Sequence, residues 1–120
     1  MALKRLALAI SVYSLAACSA QADMAFKQKT DLKLYQHYAL TSCIATAFTQ
    51  GAIYQQAITA LNGYREFGAM PLEAYEALIT PMQLWLKKDY ASHSGMQNNL
   101  MKCIDFAESE QVSKLYREHS

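Results

Sequence analysis

From Leu32 to Tyr116 the apolar residues recur every three or four positions, and no run alternates polar with apolar. A period near 3.6 commits a segment to helix, because only a helix brings such residues to one side. Without an alternating run there is no sheet to pack on. The apolar stripes must then bury helix against helix. The expectation is an all-α fold: a small bundle of about four to five helices.

The first helical stripe is Leu32, Tyr35, Ala39, Cys43 and Ala47, widened by Tyr38, Ile44 and Phe48. Thr30 or Asp31 can cap its start and Gly51 can end it. A second segment, Ala52 to Phe67, carries Tyr54, Ile58, Leu61 and Tyr64 at the same period. Gly68 falls where a left-handed C-terminal cap would sit. The third segment opens near Pro71, whose missing N–H costs nothing in a first turn. Glu73 and Glu76 follow on the favourable side of the helix dipole. Tyr75, Leu78, Ile79, Met82, Trp85 and Leu86 then form one face. Pro81 should kink this helix, and Lys87 and Lys88 suit its C-terminal end. Next comes ASHSGMQNN, Ala91 to Asn99, the only long candidate loop. A fourth helix carries Leu100, Met101, Ile104 and Ala107. Ser109 can cap a short last helix bearing Val112, Leu115 and Tyr116.

The first 22 residues stand apart from this pattern. Lys4 and Arg5 precede an uncharged apolar run, Leu6 to Ala17, of twelve residues. That is short of the ~20 a membrane span needs and fits a secretory signal peptide. SLAACSAQAD, Ser14 to Asp23, offers two cuts. Ala20-Gln21-Ala22 has the small-x-small form that precedes signal cleavage. LAAC is a lipobox match that would leave Cys18 lipidated and the protein on a membrane. Cleavage after Ala22 leaves residues 23–120 as a single soluble helical domain, long enough for a modest core.

Export sets the charge and the cysteine count. Of 11 basic and 10 acidic residues the signal removes two basic ones, for a net charge near −1. No Lys/Arg-rich run marks a nucleic-acid surface. Cys43 and Cys103 remain, and an even pair in an exported protein reads first as a disulfide. Two buried free thiols are the alternative. A bridge would pin the first helix to the fourth and steady one end of the Ala91–Asn99 loop.

Catalytic chemistry finds little support. Cys43 and His37 are six residues apart on a helix and so lie on different faces. No nucleophile-elbow, phosphate-loop or zinc-protease motif occurs. His93, Met96 and Met101 could serve a small periplasmic copper carrier, since thioether and imidazole suit that metal. Methionine in core or loop is the plainer reading, and no cofactor is called for. Eight tyrosines are present. Each alone can rim a helical core, whereas together they suit a protein-binding surface.

Three segments carry a family resemblance: SCIATAF (Ser42 to Phe48), EFG-x-x-P-x-EAY (Glu66 to Tyr75) and SG-x-x-x-x-LMKC-x-D (Ser94 to Asp105). Over about residues 35–107 the chain resembles the amidase immunity proteins of the bacterial type VI secretion system. The branch is the one that neutralises the fourth class of peptidoglycan amidase effectors. The resemblance implies a soluble periplasmic inhibitor, usually homodimeric, with a disulfide that maps to Cys43 and Cys103. It favours the Ala22 cut; membrane attachment would follow only from lipidation of Cys18. Its partner would be a cognate cysteine-dependent amidase, whose cleft a loop enters. By position that loop is Ser92, His93, Ser94, Gly95, Met96, Gln97, Asn98 and Asn99. Glu73 and Glu76 would be secondary contacts. The sequence departs from the family at His93 and Gln97, where basic residues are expected, which bears on which amidase is cognate.

Overall fold

In the computed structural model, which describes residues 30–120, Thr30 opens the first helix. Its hydroxyl accepts from the Lys33 N–H at 3.3 Å. The signal segment, both cleavage sites and Cys18 lie outside the described residues. Six helical segments follow: α1 (Asp31–Ala47), α2 (Ala52–Phe67), α3 (Leu72–Glu76), α4 (Ile79–Leu86), α5 (Asn99–Ala107) and α6 (Glu110–His119). The third and fourth are the expected third helix in two pieces, so the fold is a small all-α bundle of five helices. No helix among the described residues is long and apolar enough to cross a membrane.

α1 is the hub. It packs against α2 and α5 and also meets α4 and α6. A helix with neighbours around much of its circumference buries residues outside a single stripe. Leu34 is therefore buried along with Tyr35, Ala39 and Cys43, although the stripe omits it. Asp31, the other cap candidate, instead accepts from the Ala69 N–H at 2.8 Å and ties the start of α1 to the turn after α2. α2 buries only Ala57 fully.

The core centres on Tyr35, Leu78, Met82, Phe106 and Val112, each 3% exposed or less. Tyr35 reaches across to donate to the Ala74 carbonyl at 2.7 Å, so its buried hydroxyl has a partner. Burial raises its pKa well above the ordinary tyrosine range. Tyr75 packs on Tyr35 and Tyr38, with ring centroids 5.9 and 4.6 Å away, and Tyr116 lies 5.9 Å from Tyr35. Tyr35 and Tyr75 are buried and Tyr38 and Tyr116 half-buried against the core, so these four take the core-rim role expected of each tyrosine singly.

Two glycines depart from the roles expected of them. Gly51, with φ 84°, stands immediately before α2 and turns the chain into it, while α1 has already ended at Ala47. Gly68 is extended, with φ −79°, and so is no left-handed cap. A β-carbon there would stand 2.6 Å from the Tyr75 hydroxyl and 3.0 Å from the Tyr64 carbonyl. Close approach is what this position requires.

The break at Ala77-Leu78 replaces the expected kink at Pro81. Pro81 is the third residue of α4, where a backbone N–H has no intrahelical acceptor to lose. Splitting the helix just before it avoids the proline clash. The split also turns Ile79 outward, 47% exposed, while Leu78 and Met82 stay inside.

Cys43 and Cys103 form the disulfide, with Cα atoms 5.4 Å apart and both residues fully buried. Their separation is 60 residues, which in the chain-entropy description corresponds to about 4 kcal/mol. Reduction under partly denaturing conditions, or the Cys43→Ser/Cys103→Ser double variant, should lower the melting temperature by about 15–30 °C. Thermal unfolding followed by circular dichroism, with thiols titrated in parallel, measures this. An unchanged melting curve after complete reduction would refute it.

Candidate functional site

The polar stretch between α4 and α5 is a miniature hairpin. Gly95, with φ 80°, donates its N–H to the Ser92 carbonyl at 2.9 Å. The Ser92 N–H donates to the Met96 carbonyl, also at 2.9 Å. This is a three-residue hairpin loop closed by a left-handed glycine. Below it Ala91 faces Gln97 in an antiparallel bridge. The Asn98 N–H then donates to the Tyr90 carbonyl at 3.0 Å. The expected open loop is thus ordered by its own hydrogen bonds.

Side chains at its base complete the structure. Gln97 accepts from the Tyr90 N–H and donates to the Asp89 carboxylate, both at 2.8 Å. Asp89 also accepts from the Ala91 N–H at 3.1 Å, an Asx-type turn. The Asn98 amide donates to the Tyr90 carbonyl at 3.1 Å. The Gln97 amide, then the Ala91 N–H and more weakly Lys102, hold the Asp89 carboxyl below its ordinary value of 3.8.

This bonding gives the eight predicted loop residues different places. Gln97 and Asn98 spend their side chains inside the hairpin. Asn99 is the half-buried first residue of α5. His93, Ser94, Gly95 and Met96 are exposed at the tip, Met96 at 73%. Ser92 and Ser94 share a hydrogen bond between hydroxyls at 2.8 Å. Asp89 and Tyr90 were missed by the sequence reading. The signal that could have found them is an aspartate two residues before the start of a polar, glycine-centred run.

The remaining candidates are placed as follows. Glu73 and Glu76 are exposed on α3, which packs on α6. Met101, on the first turn of α5, is 53% exposed. Among the described residues no group of three His, Cys, Asp or Glu could hold a metal ion. Cys43 is disulfide-bonded, so no thiol is present there for nucleophilic chemistry.

Residues 33–116 match the family described as type VI secretion system (T6SS) amidase immunity protein, Tai4. The chain belongs to this family. The matched span takes in both cysteines, the whole hairpin and all but the ends of α1 and α6. A solved structure of the effector–immunity system Tae4 / Tai4 from Salmonella typhimurium, a selenomethionine variant, contains a chain of the same fold. The TM-score is 0.71 at 22% identity, covering 78% of this chain and 93% of that one. No curated protein matches the chain. Membership sets the chain among immunity proteins rather than enzymes.

The hairpin base makes a titration prediction. A depressed carboxylate pKa stabilises the bonded form above the unfolded value, and that contribution is lost as pH falls through the folded value. Hairpin order should therefore persist through neutral pH and loosen only below the usual carboxylate range. Gln97→Leu should move the Asp89 titration midpoint up toward 3.8. Carboxyl chemical shifts followed from pH 7 to pH 2 test this, and an unmoved midpoint would show that Gln97 does not hold the carboxylate.

Proposed function

We propose that the chain is a periplasmic immunity protein that binds and occludes the active-site cleft of a peptidoglycan amidase delivered by type VI secretion. The amidase is the enzyme and this chain its stoichiometric inhibitor. The cognate partner is a cysteine-dependent amidase acting in the same compartment. In this reading the protein is a soluble homodimer, as the resemblance implies.

One observation carries the proposal: the hairpin is internally bonded yet exposes a tip of small and adaptable residues, His93, Ser94, Gly95 and Met96. A loop already ordered loses less conformational entropy on docking. Glycine and serine at the tip let its backbone approach the walls of a narrow groove.

The test is amidase activity on purified peptidoglycan, using the enzyme encoded beside this gene, with and without an equimolar amount of mature protein. Stoichiometric loss of activity is expected. The His93→Trp/Ser94→Trp variant, which keeps the left-handed Gly95, should weaken inhibition by about a hundredfold, on the scale of an interface hot spot. Its melting temperature should stay within a few degrees of the parent, since neither residue touches the core. Full inhibition by this variant would move the binding surface elsewhere. No inhibition by the parent protein would reject the function.

A further inference from the structure

In the segment SG-x-x-x-x-LMKC-x-D, Cys103 joins the disulfide and Ser94-Gly95 form the hairpin tip, while Lys102 and Asp105 have no assigned task. Both belong to α5, directly after the hairpin. Lys102 is 3% exposed and is the only buried charged residue among the described residues. A buried ammonium is costly unless it is well paired. Its Nζ donates to the Leu86 carbonyl at 2.9 Å. Leu86 is the last residue of α4, so that carbonyl is one of the unsatisfied acceptors at the negative end of a helix. The same Nζ lies 5.9 Å from the centre of the Tyr90 ring, within cation–π reach.

Asp105 points its carboxylate to the other end of Tyr90. The Tyr90 hydroxyl donates to Asp105 Oδ2 at 3.0 Å. Tyr90 is also the residue whose backbone N–H and carbonyl bind Gln97 and Asn98 across the hairpin. Through its backbone it is part of the hairpin, and through its side chain it is fastened to α5. Lys102 fixes the point where the chain leaves α4, and Asp105 fixes the first arm. Cys103, between them, bonds α5 to the hub helix. One turn of α5 thus grips α4, α1 and the hairpin at once.

We propose that Lys102 and Asp105 are positioning residues that hold the Ser92–Met96 hairpin at a set angle to the bundle for docking in the amidase. This role rests on the occlusion reading above. A core-filling lysine and a surface aspartate with only structural roles would affect melting, or nothing. Positioning residues affect hairpin order and the lifetime of the complex.

The experiment combines amide exchange of Ser92 and Asn98 in the free protein, dissociation of the amidase complex, and melting temperature. Tyr90→Phe and Asp105→Ala each remove one hydrogen bond to a charged acceptor. Each should speed exchange and dissociation about tenfold, with melting shifted by only a few degrees. The double variant should exceed neither single one, because both delete the same bond. Asp105→Asn, whose amide oxygen still accepts, should keep exchange and dissociation close to the parent's. Lys102→Met, similar in length but uncharged, should stay folded and dissociate at least as fast as Tyr90→Phe. Unchanged exchange in Tyr90→Phe and Lys102→Met, or additive effects in the double variant, would overturn the proposal. Faster exchange with unchanged dissociation would overturn it as well, by showing that hairpin order is irrelevant to inhibition. If the parent protein fails to inhibit the amidase, the occlusion reading falls and takes this role with it; unchanged exchange or additive effects, with the parent still inhibiting, leave that reading standing.

Discussion

The bond between Cys43 and Cys103 is the constraint on which the arrangement depends. It joins the most heavily packed helix to the one that carries the hairpin, and both sulfurs are sealed from solvent. A chain of this size buries limited apolar area. The helical segments after α2 are short, and α2 contributes one fully buried residue. A cross-link spanning most of the folded chain restricts the unfolded ensemble where a larger core would otherwise supply the stability. Around it the core relies on large aromatic side chains. Phe106 packs on Trp85 with centroids 5.7 Å apart, beside the cluster of Tyr35, Tyr38, Tyr75 and Tyr116.

Tyrosine in a core needs a partner for each hydroxyl, and those partners link segments that periodicity leaves unconnected. Tyr35 bonds the backbone of α3. Tyr75 presses against a glycine whose missing side chain makes room for it. The two contacts draw the α2–α3 turn and α3 itself onto α1. Asp31 adds a third tie, from the first turn of α1 to the Ala69 N–H.

The sequence disclosed most where local chemistry alone decides structure. The bounds of α2 and the caps at Thr30 and Ser109 follow from short-range rules, and the pairing of Cys43 with Cys103 is the one the even cysteine count suggests. It disclosed less where a third element intervenes. Leu34 is buried because α1 has neighbours on several sides, which no single-stripe reading anticipates. Gly68 ends α2 as expected but in extended rather than left-handed backbone, with the Tyr75 hydroxyl brought beside it. The break before Pro81 reflects a choice between bending and ending a helix, made by the packing of Leu78 and Met82. Within the candidate site the span of the loop was legible from its polarity and Gly95. Its hairpin form was not, because the pairing runs through Asp89, Tyr90 and Gln97, whose partners appear only once the chain doubles back.

That hairpin separates the positions that hold its shape from those free to vary. Its framework is written in Asp89, Tyr90, Gln97 and Asn98, whereas the His93 and Met96 side chains stand exposed at the tip. Substitution at either tip position leaves every framework bond in place. The chemical character of the tip can therefore change through two side chains without refolding the element that bears them. A change at Gln97, by contrast, would loosen the tip whatever residues stand at those two positions.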